Sequence, residues 1–205
     1  MSSPQLIDLR SLAPTPWKNG AGLTREIAVE PAGASLDDFD WRISVAEIAR
    51  EAPFSAFAGV DRCIVLLHGA GMRLHSHDAA IDAMLDTPLQ PCHFAGDAAV
   101  TASLIAGGCS DFNVMARTTT CRAEVLAASA SRNIAAADAG LIFCVRGEAS
   151  IEAAQQAALD LREGQAALWR TAAPARTLLV QAVDTHLLIV QIHAVKPASC
   201  QDAIA

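Results

Sequence analysis

Rare polar residues are concentrated in one short segment near the N-terminus. The segment PWKNGAGLTREIA, residues 16–28, holds Lys18, one of two lysines in the chain, and Asn19, one of three asparagines. It also holds two glycines and the adjacent pair Arg25 and Glu26. Cationic side chains bind carboxylates, asparagine binds neutral polar groups, and glycine lets the backbone approach a bound molecule closely. We therefore predict that this segment contacts a small, negatively charged ligand.

Two later segments place polar side chains on one face of a predicted strand. In FDWRISVAEI, the alternation of a strand directs Arg42 and Ser44 to the same side; in DFNVMAR, it groups Asp111, Asn113 and Arg117. If both faces of these strands are covered, the polar groups must pair with each other or meet a ligand. An unpaired buried polar group costs about 1–3 kcal/mol. Because the planar fork of arginine suits a carboxylate, these strands are candidate walls of the binding site.

Each of these residues also has a purely structural interpretation. Arg25 with Glu26, and Asp61 with Arg62, could form surface ion pairs of little energetic weight. Aromatic residues near the polar segments suit a core better than a ligand platform; they are Trp41, Phe54, Phe57 and Phe112. The grouping of the polar residues, and not any single one, favours a binding site.

A metal site is the alternative. In GAGMRLHSH, His75 and His77 follow Gly69 with a spacing similar to that with which metal-binding cupins begin their ligand set. Alternation would direct both imidazoles to one side, as chelation requires. Asp82 stands where those sites have a glutamate, and a later histidine would also be needed. The stretch HSHD is equally typical of an exposed hairpin turn.

Composition limits the class of protein. The chain has 205 residues, of which 52% are hydrophobic, so one substantial core can form. Its net charge of -7 disfavours nucleic acid and anionic membranes as partners. The N-terminus lacks a signal-peptide pattern, and no apolar run approaches the roughly 20 residues of a membrane span, so we expect a cytoplasmic protein. The six cysteines are scattered without a CxxC pair, and we expect no disulfide and no cofactor.

Short apolar runs that end at Gly, Pro or Asp predict a mostly-β fold. Two segments, IVLLHGAGMRL and IFCVRGEASIE, each read as a strand, a glycine turn and a second strand. Their glycines, Gly69 and Gly147, are 147 − 69 = 78 positions apart. This repeat predicts two similar β-barrel halves. We place the first barrel, with the candidate pocket, at 1–120, the second at 121–197 and a tail at 198–205.

The motifs PWKNGAGLTREIA, FDWRISVAEI, PFSAFAGVDR, LLHGAG and DFNVMAR, in this order, resemble the HutD/Ves family of bacterial proteins. The resemblance spans roughly residues 5 to 195. It implies a bicupin, two fused cupin-like β-barrels in one compact chain. It also implies an association with histidine utilisation and a role in binding a formylglutamate-like or urocanate-like molecule. No enzymatic activity is securely established for the family.

Together these observations favour a bicupin that binds a small acidic metabolite and has a regulatory or accessory role in histidine utilisation. No GxSxG elbow, phosphate-binding loop or dinucleotide fingerprint occurs. We therefore favour binding over catalysis, and an enzymatic activity stays open. A metal-dependent enzyme using His75, His77 and Asp82 is the alternative, and a protein-interaction module is a third interpretation. A homodimer is left open. The expected ligand-binding residues are Trp17, Lys18, Asn19, Arg25, Glu26, Arg42, Ser44, Arg62, Asp111, Asn113 and Arg117.

Overall fold

The computed structural model describes residues 3–78, 80–152, 157–172, 174–181 and 183–195. Within these ranges the chain forms nineteen strands and one turn of 3-10 helix, Leu9–Ser11. The strands are β1 (Gln5–Asp8), β2 (Thr15–Pro16), β3 (Gly22–Glu30), β4 (Trp41–Ile48), β5 (Ala52–Pro53), β6 (Val60–His68), β7 (Met72–Ser76), β8 (Asp82–Leu85), β9 (Pro91–Ala95), β10 (Val100–Leu104), β11 (Cys109–Arg117), β12 (Cys121–Ala128), β13 (Arg132–Ile134), β14 (Ala139–Arg146), β15 (Glu148–Glu152), β16 (Leu159–Arg162), β17 (Gln165–Trp169), β18 (Arg176–Val180) and β19 (His186–Ala194). In the described ranges, no helix is long and apolar enough to cross a bilayer.

The first half consists of two antiparallel sheets that face each other. One sheet has six strands in the order β2-β3-β4-β11-β6-β9, and the other has four in the order β5-β10-β7-β8. Ile64 and Leu66 of β6 pack between the sheets against Met72 and Leu74 of β7. The inward-facing residues of β6 and β7 therefore build the interior of this half.

The second half repeats this arrangement. A five-stranded sheet, β1-β17-β14-β19-β12, faces a four-stranded sheet, β13-β18-β15-β16. Ile142 and Ile189 of the larger sheet pack against Leu161 and Leu178 of the smaller one. Strand β1 pairs with β17, so residues 5–8 belong to a sheet of the second half. Residues 198–205, expected to form a tail, lie outside the described residues.

The two larger sheets pack back to back and form the junction between the halves. Val45, Phe112 and Val114 of the first half share a buried cluster with Phe143 and Val190 of the second. Both larger sheets are thus covered on both faces, which explains why β6, β14 and β19 are almost continuously apolar.

The predicted mostly-β fold of two similar halves is confirmed, although each half is a pair of facing open sheets and not a closed barrel. Gly69 joins β6 to β7 and Gly147 joins β14 to β15, and each glycine has a positive φ, 96° and 84°. In both halves this turn takes the chain from the larger sheet to the smaller one. A left-handed backbone at this crossing favours glycine, which is why the repeat is visible in the sequence.

Candidate functional site

The central strand β11 presents Asp111, Asn113 and Met115 to the interior of the first half. The residues directly opposite them are Ala46, Ser44 and Arg42 on β4, and Leu66, Ile64 and Arg62 on β6. Ile64 and Leu66 belong to the core between the two sheets, so their neighbours on this face also point inward. Five polar side chains from three adjacent strands thus line one interior surface.

Arg62 is held by aromatic rings. Its guanidinium carbon lies 5.1 Å from the ring centroids of both Phe54 and Phe94, and 5.9 Å from that of Phe57. The side chain is buried, with the residue only 7% exposed. One terminal nitrogen donates a long hydrogen bond, 3.4 Å, to the carbonyl oxygen of Ser55. The buried Nε has no hydrogen-bond partner among the described residues. Three π faces orient this cation while one of its donors stays unused.

Asp111 and Asn113 supply the matching acceptors. Both residues are buried, and the described residues provide no hydrogen-bond partner for Asp111 Oδ2 or Asn113 Oδ1. Burial raises the pKa of Asp111 to about 7, against the opposing effect of the positive charge on Arg62. Burial likewise lowers the pKa of Arg62 to about 10, opposed by Asp111 and reinforced by Arg42. The first half therefore encloses one unpaired donor and two unpaired acceptors.

A second arginine lies on the same interior face. Arg42 and Arg62 flank Met115 on opposite sides in the strand register. Arg42 Nε donates to Glu26 Oε2 over 2.7 Å, and the Arg42 side chain is only 14% exposed. Glu26 is directly opposite Ser44, which is fully buried beside Asn113. Among the described residues, Glu26 is the one ion-pair partner of these two guanidinium groups. The buried carboxyl of Asp111 has a pKa of about 7, so near neutral pH it offsets their positive charge only in part, and this part of the interior is suitable for an anion.

The N-terminal segment has structural roles at the edge of this surface. Trp17 Nε1 donates to Thr24 Oγ1 over 2.8 Å, and the indole packs edge-on against Phe54 at 5.9 Å. Asn19 Oδ1 accepts a hydrogen bond from the backbone N–H of Ala21. Lys18 is exposed. The amide of Asn19 thus shapes the loop, and the indole of Trp17 packs against one of the three aromatic rings around Arg62.

Two predicted ligand-binding arginines are engaged elsewhere. Arg25 is opposite Val45 on the junction face of the sheet, where it forms an ion pair with Glu47. Arg117 donates to the carbonyl oxygens of Phe39, at 2.9 Å, and Asp37, at 2.8 Å. Its guanidinium carbon also lies 5.5 Å from the centroid of the Phe39 ring. Arg117 therefore fastens the loop before β4 to the end of β11.

His75 and Asp82, two of the three residues of the alternative metal site, do not point to a common site. Met72 and Leu74 take the inner face of β7, so His75 points outward, where its Nε2 is 3.0 Å from Ser103 Oγ. Asp82 accepts two hydrogen bonds from Arg73, of 2.7 and 2.8 Å. Among the described residues there is no group of three or more His, Cys, Asp or Glu that could hold a metal ion. These residues therefore do not fit the metal centre that their spacing suggested.

A family comparison agrees with this architecture. The family model described as HutD matches residues 10–188. The chain belongs to the HutD family. Its structure is similar to that of HutD from Pseudomonas fluorescens SBW25, with 26% identity, a TM-score of 0.81, and coverage of 95% of this chain and 100% of that one. It is also similar to a conserved protein of unknown function from Pseudomonas aeruginosa PAO1, with 29% identity, a TM-score of 0.84, and coverage of 94% and 100%.

The fold extends beyond close relatives. A cupin 2 conserved barrel domain protein from Leptotrichia buccalis superposes with a TM-score of 0.58 at 8% identity, covering 94% of this chain and 98% of that one. Such a low identity supports the fold alone. This HutD-family chain thus has a cupin-type fold, and the name of its family links it to histidine utilisation.

A cavity of about 790 Å³ also opens at one end of the junction between the halves of this HutD protein. None of the predicted ligand-binding residues lines it. Its floor is apolar, and Glu47 at its rim is already paired with Arg25. Three buried side-chain atoms without hydrogen-bond partners among the described residues, on Arg62, Asp111 and Asn113, instead lie inside the first half, and we take that interior as the candidate site.

The aromatic cage around Arg62 is the part of the site that the sequence interpretation missed. The sequence predicts Phe54 and Phe57 to be core residues and indicates no role for Phe94. Phe94 is directly opposite Arg62 in the pairing of β6 with β9. Only a short alternating pattern, with Cys92 and Phe94 on one face, could have indicated that it points inward.

Proposed function

We propose that the interior of the first half binds a small metabolite that carries a carboxylate. The single observation that carries this proposal is the set of three buried atoms for which the described residues provide no hydrogen-bond partner, Arg62 Nε, Asp111 Oδ2 and Asn113 Oδ1. Leaving such groups unpaired costs about 1–3 kcal/mol each, and more for charged ones. A ligand that satisfies all three would recover that free energy on binding.

The chemistry of these atoms defines the ligand. Arg62 is a cationic donor and takes the carboxylate, with Arg42 adding positive charge on the same face. Asp111 and Asn113 offer oxygen acceptors and take an N–H group. Formylglutamate-like molecules carry carboxylates and an amide N–H, and urocanate-like molecules carry a carboxylate and an imidazole N–H. Ser44 would add a hydroxyl contact beside Asn113.

The biological role that we propose is regulatory or accessory. In the cytoplasm, binding of an acidic intermediate would moderate histidine breakdown, with the protein acting by occupancy and not by turnover. The link between the family name and histidine utilisation supports this choice of pathway. No partner other than the metabolite is needed for such a role.

Ligand-induced stabilisation tests the proposal directly. A ligand that binds the native state at 100 times its Kd stabilises it by about 2.7 kcal/mol, which is measurable as a higher Tm. We expect N-formylglutamate or urocanate to raise the Tm, and glutarate, which has carboxylates but no N–H, to raise it less. The variant Arg62→Met should lose the response, whereas Arg25→Gln, on the opposite face of the same sheet, should keep it. No Tm shift with either metabolite, or an unchanged shift in Arg62→Met, would overturn the proposal.

A further inference from the structure

The second half has a buried arginine of its own. Arg176 lies on β18, opposite Ile134 and on the same strand face as Leu178, and both of those residues belong to the core between the two sheets of this half. Arg176 therefore points into the interior, and the residue is only 4% exposed. Its guanidinium carbon lies 4.8 Å from the centroid of the Trp169 ring.

Neither of these two side chains has its hydrogen-bonding capacity met. Arg176 Nε and Trp169 Nε1 are both buried, and within the described ranges neither atom has a hydrogen-bond partner. Arg176 also forms no ion pair with a described carboxylate. Burial lowers the pKa of Arg176. Arg62 in the first half differs, because the charge of Asp111 opposes the same effect there.

The position of the indole is fixed by a glycine. Trp169 is directly opposite Gly140 on β14, and a Cβ atom at position 140 would lie 2.6 Å from Trp169 Cζ2 and 2.4 Å from the carbonyl oxygen of Val190. Only glycine leaves room for the ring against the sheet. Gln191, on the other side of Gly140, is held by a 3.0 Å hydrogen bond from its Nε2 to the carbonyl oxygen of Ala135. The indole thus lies against the larger sheet of this half, in the space that the missing side chain of Gly140 leaves.

We propose that Arg176 and Trp169 form a second ligand site, for a small oxyanion, inside the second half of the chain. Both unpaired atoms are donors, and the charge beside them is positive, so the site selects an acceptor. An uncompensated buried charge is costly, and an oxyanion that accepts from both donors would remove that cost. The first half presents a donor with two acceptors, whereas this site presents donors alone, so the two sites differ in the ligands that they take. The inference does not depend on the function proposed for the first half.

Titrations with anions test this site in a variant that lacks the buried arginine of the first half. The Arg62→Met variant removes the arginine of the first half, so a remaining response to anions reports on the second. In that background we expect sodium acetate or sodium phosphate to raise the Tm above sodium chloride of equal ionic strength. The same anion should change the tryptophan emission, since Trp169 is one of three tryptophans in the chain. A response to acetate alone identifies a carboxylate ligand, and a response to phosphate alone identifies a phosphate.

Substitutions at the two donors complete the test. Arg176→Met should abolish the anion response, Trp169→Phe should weaken it, and Arg176→Lys should keep part of it. In anion-free buffer Arg176→Met should be at least as stable as its parent, because the uncompensated charge is gone. A response no larger than that to chloride would overturn the proposal. So would a lower stability of Arg176→Met in anion-free buffer, since it would mean that contacts within the protein, including the one with the Trp169 ring, already compensate for the burial of the arginine.

Discussion

Phe112 of β11 and Phe143 of β14 stack across the junction of the two halves, with ring centroids 5.6 Å apart and 12° between the ring planes. Asp111 and Asn113, the neighbours of Phe112 in the chain, point to the opposite side of the same strand, into the candidate site. One strand therefore carries the junction on one face and the site on the other. The geometry of the site depends on how the halves pack.

Shortening Phe112 tests this dependence. Removal of a fully buried phenylalanine side chain typically costs about 3–5 kcal/mol, and we expect Phe112→Ala to lower the free energy of unfolding by that amount. Urea denaturation measures the change, and the exposed Leu126→Ala should stay within about 0.5 kcal/mol of the wild type. We also expect weaker metabolite binding in Phe112→Ala. A fully stable variant with normal binding would show that the junction does not support the site.

A matched pair of arginines tests the charge of the site. Arg42 points into the first half and Arg25 to the junction face, although they lie on adjacent strands. A hydrogen bond to a charged group contributes about 1.5–3 kcal/mol, so Arg42→Ala should weaken metabolite binding by at least about tenfold. Arg25→Ala should leave the affinity unchanged. Calorimetric titration compares the two, and equal losses would contradict the assignment of the interior face.

The carboxyl of Asp111 should make stability depend on pH. Burial raises its pKa to about 7 from an ordinary value of 3.8, so between those values the folded protein retains a proton that the unfolded chain has released. The free energy of unfolding should therefore fall as pH rises from about 4 to about 7 and level off above that, with a slope of at most about 1.4 kcal/mol per pH unit from this group.

The variant Asp111→Asn isolates this contribution. It should lack the decline, so its stability relative to the wild type should increase up to about pH 7. Urea denaturation at intervals from pH 5 to pH 8 measures both proteins. The exposed Asp61→Asn should keep the dependence of the wild type. Parallel curves for the wild type and Asp111→Asn would show that Asp111 titrates normally.

Arg117 should matter for stability and not for binding. It holds two backbone carbonyl groups of the loop before β4, at Asp37 and Phe39. We expect Arg117→Ala to lower the free energy of unfolding by about 2 kcal/mol, since hydrogen bonds to a charged group are lost. The exposed Arg122→Ala is the control and should have little effect. An Arg117→Ala variant that keeps its stability but loses metabolite binding would place Arg117 in the site.

Local patterns in the sequence predicted much of this architecture. The alternation in β4 and β11 correctly grouped Arg42 with Ser44 and Asp111 with Asn113, because side chains in a strand alternate between its faces. The glycine turns at Gly69 and Gly147 showed the repeat, because a positive φ at each turn restricts the residue type.

Long-range contacts were not predictable in the same way. Alternation predicts that His75 and His77 point to one side, but only the packing of Met72 and Leu74 decides that the side of β7 with His75 faces outward. Arg117 finds its partners almost 80 positions earlier in the chain. The phenylalanines around Arg62 come from separate segments, and Arg176 and Trp169 carry no motif, so strand register alone brings these groups together.

Because β1 pairs with β17, the first strand of the chain belongs to the half that the C-terminal part of the chain builds. The chain contributes β1 to the second half, then builds the first half, and then returns to complete the second half. Severing it near position 120 would not yield two independent modules, because the C-terminal piece would lose its border strand and leave the N–H and C=O groups along β17 open to self-association. The two halves therefore depend on each other, and we expect neither of them to fold stably as a separate unit.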